Sequence, residues 1–201
     1  MPSRRPPAER RAEIAAAARA VALREGLGAV TLRAVAAETG VASGLVAHYE
    51  PSMETLVART FDELARAELD EVARLAGDGP ALGRLRSVLA TLLAPGRDDV
   101  SSLWADAWSL GRRSPTLAAA TRSLMGEWSA LADEILAAGI AEGAFATATP
   151  ELVSLQMFAL LDSTTAYALV GYREASERSA VVFTSMETAL GLPAGALTEP
   201  Q

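Results

Sequence analysis

Residues 31–49 read TLRAVAAETGVASGLVAHY. Thr31 is an N-cap residue with Leu32, Val35 and Ala36 following at helical spacing, so it opens a short amphipathic helix. Gly40 ends that helix, because glycine adopts the left-handed conformation of a tight helix stop without a steric penalty. A second short helix follows, running over about Ser43–Tyr49. Leu32, Val35, Ala36, Val41, Leu45 and Val46 supply the apolar contact between the two, and the small Ala36 and Ala37 permit close approach. Ser43, Gly44 and Ala47 remain on the outer face of the second helix, small enough for it to lie deep in a DNA major groove. This spacing describes a helix-turn-helix; taken alone, it equally describes a helical hairpin inside a bundle.

The same periodicity continues on both sides. Ile14, Ala17, Ala18 and Val21 mark one face of a helix over about 8–24, stopped at Gly26-Leu27-Gly28. After Pro51, Ser52 caps a long fourth helix reaching about Leu75. Further helices are expected over about 81–94, 98–111, 115–142, 149–171 and 175–190, separated by Gly, Pro and capping residues. Nothing alternates as a strand does, so the chain is all-α with about nine helices. The expected organisation is a helix-turn-helix head over 1–51, a longer helical region over 52–192, and a loose tail over 193–201.

Composition narrows the chemistry. Of 201 residues half are apolar, enough for a sizeable core. There is no Cys, and His48 is the single His, which excludes disulfides, Cys-based zinc sites and any metal site needing two imidazoles. All 18 basic residues are Arg, so Lys Schiff-base chemistry is excluded as well. A Ser-His-Asp set would have to use His48, on the outer helix itself, and no phosphate-cradling Gly loop occurs. No catalytic residue, metal or cofactor is therefore expected. The longest apolar stretch, Leu152–Val170, is interrupted by Gln156, Asp162 and hydroxyls, and the basic, Pro-rich start is unlike a signal peptide. A cytoplasmic protein is expected. Residues 1–48 carry seven Arg against four acids, whereas the rest carries 11 Arg against 21 acids. A basic head on an acidic body suits an anionic partner for the head alone.

The ordered run Ala-Ala-Ala-Arg19, Gly26, Thr31-Leu-Arg33, Ala36-Ala37-Glu38-Thr39-Gly40-Val41, Gly44, His48-Tyr49, Pro51-Ser52 and Leu56 resembles the DNA-binding head of the tetracycline-repressor (TetR) family of bacterial regulators. The tail resembles that family's regulatory domain more loosely, in helix count and in Gly139-Ile-Ala-Glu-Gly143. The Val-Ala-His-Tyr run is most similar to the branch responding to choline and betaine aldehyde. The resemblance implies a homodimeric repressor that leaves a palindromic operator when a small molecule fills a pocket in the tail. It gives Thr31, Arg33, His48 and Tyr49 as phosphate contacts, while Ser43, Gly44 and Ala47 face the bases. Arg4 and Arg5, with Arg10 and Arg11, form either a basic arm for an adjacent minor groove or a solvated terminus. The chain departs from the family pattern at four places. Ala42 stands where Ser usually caps the recognition helix, and Ala47 where an aromatic touches phosphate. Glu50 stands where Phe is common, and Met53 where Lys opens the fourth helix. These departures keep open a second reading, a helical small-molecule-binding protein with weakened or lost DNA binding.

In the tail, Trp104 and Trp108 lie four apart, and Met125 and Trp128 three apart. Phe158, Leu161 and Asp162 follow on a later helix. These residues line either an inducer pocket for an apolar or aromatic ligand, a cationic group included, or ordinary core. Asp106 also lies beside the tryptophans, as a further carboxylate for such a ligand. Leu152, Leu155, Ala159, Val170, Val181, Val182, Met186 and Leu190 offer more apolar surface than one chain covers, which suggests a four-helix bundle built from two copies.

Overall fold

The computed structural model describes residues 6–198, apart from the Asp98 side chain. Among the described residues there are nine α-helices and no strand: α1 (Pro7–Glu25), α2 (Leu32–Thr39), α3 (Ser43–Tyr49), α4 (Met53–Ala76), α5 (Ala81–Leu92), α6 (Asp98–Gly111), α7 (Pro115–Ala141), α8 (Pro150–Leu169) and α9 (Ala175–Ala189). The expected order and spans hold closely. α5 stops at Leu92 rather than 94, where the Ala94 amide turns back to the Thr91 carbonyl at 3.3 Å ahead of Pro95. Arg4 and Arg5 lie outside the described residues, as do positions 199–201.

The helices form two compact units. The first takes the chain up to Arg66 together with Asp99–Leu124, and the second takes Ala67–Asp98 together with residues from Met125 onward. The division therefore does not fall at 51/52; α4 and α7 each contribute residues to both units.

In the first unit, α1 packs on α2 and α2 on α3. Ile14, Ala18, Val21, Val35, Val46, Leu56, Phe61 and Leu103 meet in its core, each fully buried. α1 ends at Gly26, whose φ of 86° lies in the region that favours glycine, and one 3-10 turn follows over Leu27–Ala29. Asp106 on α6 closes this turn: its Oδ2 accepts the Leu27 amide at 2.7 Å. A Cβ at position 26 would sit 2.5 Å from that oxygen, so Gly26 is required by space as well as by conformation. Asp106 is thus held by the fold, a correction to its reading as a ligand carboxylate. Ser114 caps α7 through the Leu117 amide at 3.2 Å, and Glu54 on α4 accepts the Ser114 hydroxyl at 2.7 Å.

The turn between α2 and α3 is built as the sequence requires. Thr31 Oγ1 accepts the Ala34 amide at 3.2 Å, and Gly40 sits in the left-handed region at φ 68°, ψ 29°. The Val41 amide then reaches back to the Ala36 carbonyl at 3.0 Å, the closure of a Schellman stop. α3 begins without such help. Ala42 has the extended backbone of an N-cap, at φ −71° and ψ 142°, but no side chain accepts a first-turn amide, and Ser43 does not substitute.

In the second unit α8 packs on α9. Leu85, Leu89, Ile135, Leu136, Met157, Val182, Met186 and Leu190 are buried there. The expected loose tail is corrected for 193–198. Leu197 is buried, its amide donates to Glu187 Oε1 at 2.9 Å, and Arg86 Nε donates to the Ala196 carbonyl at 2.6 Å. A single Leu in a tail of small residues and Pro is the residue that anchors it.

Two stability outcomes follow from these terminations. Asp106→Ala strands the Leu27 amide and lowers stability by about 1–3 kcal/mol, read as a drop in urea midpoint, whereas Asp106→Asn keeps an acceptor and costs less. Ala42→Ser, at a backbone already shaped as a cap, raises stability by about 1 kcal/mol. An unchanged midpoint in Ala42→Ser would mean that the α3 amides are satisfied elsewhere.

Candidate nucleic-acid interface and ligand-sensing residues

α3 buries one side and exposes the other. Val46 is fully buried, and Leu45 and Tyr49 are half-buried. Ser43, Gly44, Ala47 and His48 are exposed, so the four residues expected to face DNA share the outer surface. A Cβ at Gly44 would meet no atom within 4 Å, so its backbone is open to close approach. The Tyr49 ring packs against the core, with the His48 ring edge-on at 5.1 Å and the Arg11 guanidinium 5.9 Å from its centroid. Thr31 and Arg33 are exposed at the start of α2. Thr31 combines its capping role with a hydroxyl hydrogen still able to donate.

Two of the four departures from the family pattern change meaning here. Glu50 is buried rather than presented to DNA: the chain turns inward after α3, and Arg59 Nη2 donates to its carboxylate at 2.7 Å. Arg59 also reaches Glu63 at 3.8 Å, and Glu63 pairs with Arg19, so the acid joins a network linking the end of α3 to α4 and α1. Met53 is half-buried against the same core and serves packing. Sequence reading places Glu50 on the DNA side because it cannot see Arg59, nine residues on.

The expected sensing residues fall into two ring pairs. In the first unit Trp104 stacks edge-on against Phe61 at 5.1 Å and lies 6.0 Å from Trp108, so Trp104 is part of the core packing. In the second unit Trp128 meets Phe158 at 6.1 Å, and Leu161 is buried. Met125 is exposed. Asp162 lies one helical turn beyond Phe158 on α8, partly buried, with no hydrogen bond or ion pair among the described residues. Burial pushes its carboxyl up to about 6. Ser154, one turn before Phe158, was not singled out from sequence, where it is one hydroxyl among several in α8. Its buried Oγ has no partner, and neither has Trp128 Nε1. Ser154, Phe158 and Asp162 therefore form one stripe along α8, on which the Ser154 hydroxyl, like the Trp128 indole N–H, is buried and unsatisfied, and the Asp162 carboxylate is partly buried.

The expected dimer residues separate into two sets. Val182, Met186 and Leu190 are each 0% exposed, which corrects their assignment: this stripe of α9 points into the protomer's own core. Leu152, Leu155, Val170 and Val181 are 61%, 65%, 78% and 52% exposed, and Ala159 is exposed between them.

Comparison with known proteins places this geometry. Residues 14–60 match the family profile described as bacterial regulatory proteins, tetR family. Residues 80–185 match the profile described as BetI-type transcriptional repressor, C-terminal. No curated protein is significantly similar in sequence. Among solved structures, a TetR transcription regulator from Haloarcula marismortui is 19% identical with a TM-score of 0.80, covering 91% of this chain and 99% of its own. A TetR-family transcriptional regulator from Agrobacterium tumefaciens is 18% identical with a TM-score of 0.77, covering 92% and 100%. A Saccharomonospora viridis protein solved in complex with choline is 20% identical with a TM-score of 0.79, covering 90% and 96%. These likenesses establish the fold, and the two profiles, the second of which spans more than half of the chain, establish the family. The chain belongs to the TetR family of bacterial regulatory proteins, as a DNA-binding transcriptional regulator with a carboxy-terminal region of the BetI type.

Proposed function

We propose that the protein is a homodimeric repressor that leaves a palindromic operator when a small organic cation binds its second unit. The observation carrying the DNA half of this reading is the exposed surface of small residues Ser43, Gly44 and Ala47, with Arg33 and His48 beside it. Thr31, Arg33, His48 and Tyr49 position the head on phosphates, and the α3 surface reads bases at close range. Two heads must present their α3 helices about one DNA turn apart, roughly 34–36 Å. The exposed apolar residues Leu152, Leu155, Ala159, Val170 and Val181 on α8 and α9 supply a surface for the second copy. By length and composition α8 is also apolar enough to cross a membrane. The dimer reading is preferred because α8 carries Asp162 and buries its other face, including Met157 and Leu161, against protein.

For the ligand, Trp128, Phe158, Leu161 and Asp162 are the sensing residues. A carboxylate without a partner beside an indole and a phenyl ring suits a cation with apolar bulk. The BetI-type profile and the choline held by the Saccharomonospora protein support the same class. α4, continuous from Met53 to Ala76 and contributing to both units, is the element through which occupancy reaches the head. Such a ligand shifts the equilibrium only by binding the released state more tightly than the DNA-competent one.

A mobility shift on the DNA flanking the protein's own gene tests the repressor reading, and absence of any specific complex would favour the small-molecule-binding alternative. Arg33→Ala should weaken binding to every sequence by a similar factor, whereas Ser43→Ala should change which operator is preferred. A changed base preference with intact affinity in Arg33→Ala would overturn the role assignment.

The Asp162 carboxyl gives a pH test with a definite sign. Its folded value of about 6 lies above the ordinary 3.8, so the ionised group opposes folding once pH rises past about 6, and that penalty disappears as pH falls to 3.8. Asp162→Asn is therefore expected to stabilise the protein at neutral pH and to be neutral near pH 3.8. Choline binding, measured by indole fluorescence, should weaken in the same variant and, in the wild type, as pH falls below about 6. Choline binding that ignores both changes would remove Asp162 from the site.

A further inference from the structure

A cavity of about 420 Å³ lies in the second unit along α5, within the size range of small-molecule sites. Its floor is the stripe Gly83, Ser87 and Ala90, spaced to share one face of the helix. Arg84 and Arg86 fall on opposite sides of that stripe, since successive residues advance by about 100° around a helix. Leu197, anchored by the Glu187 carboxylate, forms part of the wall. Among the described residues no acidic side chain lines the cavity, in a region of the chain that is otherwise strongly acidic.

Both arginines have unused capacity. Arg84 Nε is buried without an acceptor, and among the described residues this side chain pairs with Glu134 alone, Nη1 to a carboxylate 65% exposed at 3.0 Å. An exposed acid of that kind is weakly held and readily displaced. Arg86 uses Nε on the Ala196 carbonyl, leaving its two terminal nitrogens without a partner among the described residues. The α5 N-terminus is not the attraction, because Glu142 already accepts the Ala81 amide at 3.0 Å. What remains is two guanidinium groups flanking a small-residue floor with an apolar wall. We propose that this groove binds a small amphiphilic anion, a carboxylate or phosphate monoester carrying a short apolar chain. The guanidinium groups take the anionic oxygens in charge-assisted hydrogen bonds, and the chain lies over Ala90 and Leu197. This site uses none of the α8 residues assigned to the cation.

Calorimetric titration of the full-length protein with hexanoate, hexyl phosphate and hexyltrimethylammonium tests the assignment. One or both anions should bind, the head group preferred distinguishing carboxylate from phosphate. Arg84→Gln and Arg86→Gln should each weaken that binding by roughly tenfold. Gly79→Phe, which places a ring at the cavity lining where a Cβ meets no atom within 4 Å, should abolish it without disturbing the fold, whatever Arg86→Gln does to the tail. Asp162→Asn should leave anion binding unchanged, so this site and the cation site stand or fall separately. Failure of both anions to bind at millimolar concentration, or binding unchanged in Arg84→Gln, Arg86→Gln and Gly79→Phe, would overturn the proposal.

Discussion

The hydrogen bond from the Leu27 amide to Asp106 is the constraint on which the first unit depends. α1 must stop abruptly for the chain to turn toward α2, and that stop leaves a backbone donor in a partly buried place. An unsatisfied donor there costs about as much as a substantial fraction of a domain's stability. The acceptor comes from α6, 79 residues further along the chain. Gly26 must then be glycine twice over, because its φ is positive and because the carboxylate occupies the space of a Cβ. The helix-turn-helix is consequently not a free-standing segment of the first 51 residues. Its geometry is fixed by a residue of the regulatory half of the sequence, packed into the same unit.

The second unit shows the opposite economy. Native cores satisfy nearly all buried polar groups, and exceptions mark places where stability is not the governing demand. Trp128 Nε1 and Ser154 Oγ are such exceptions; Phe158, whose ring meets Trp128, lies one turn from Ser154 on α8, and the partly buried Asp162 follows one turn on. A Phe at 128, an Ala at 154 and an Asn at 162 would satisfy packing at lower cost. Retaining the polar groups fits the proposed ligand site, and the raised Asp162 carboxyl has the same physical origin, burial without a compensating partner.

The fold was legible in the sequence because its terminators are chemical: Gly40, Ser52, Ser114, Pro115 and Pro150 each bound an element within two residues. The outer face of α3 was legible for the same reason, since Ser43, Gly44 and Ala47 follow from helical period alone, whereas the exposure of His48 does not. What period cannot supply is a partner distant in sequence. Asp106 reads as a ligand carboxylate until Leu27 is placed against it, and Glu50 reads as an acid facing DNA until Arg59 is. On α9 the limit is of another kind. Val181 and Val182 are adjacent and equally apolar, so only packing decides that one is half exposed and the other fully buried. Leu197 was hidden by its surroundings, because a single Leu in a tail of Pro, Gly and Ala carries no periodic signal.

Pairing also refines the charge of the head. The seven Arg and four acids before Tyr49 suggest a diffuse basic surface, but most of these charges are committed within the protein. Arg10 pairs with Glu13, Arg19 with Glu63, and Arg24 with both Glu25 and Glu38. Among the described residues of this segment, Arg11 and Arg33 alone have no carboxylate partner, and Arg11 lies against the Tyr49 ring. Among the described residues Arg33 is thus the exposed arginine at the start of α2 that remains available for the proposed phosphate contact. If the proposed head neutralises phosphates only through such uncommitted charges, counterion release contributes little and affinity should depend weakly on salt. The compensation available is proximity. Ser43, Gly44 and Ala47 present almost no side-chain bulk, so α3 can approach base edges more closely than a helix lined with long basic residues, and recognition rests on fit where charge is scarce.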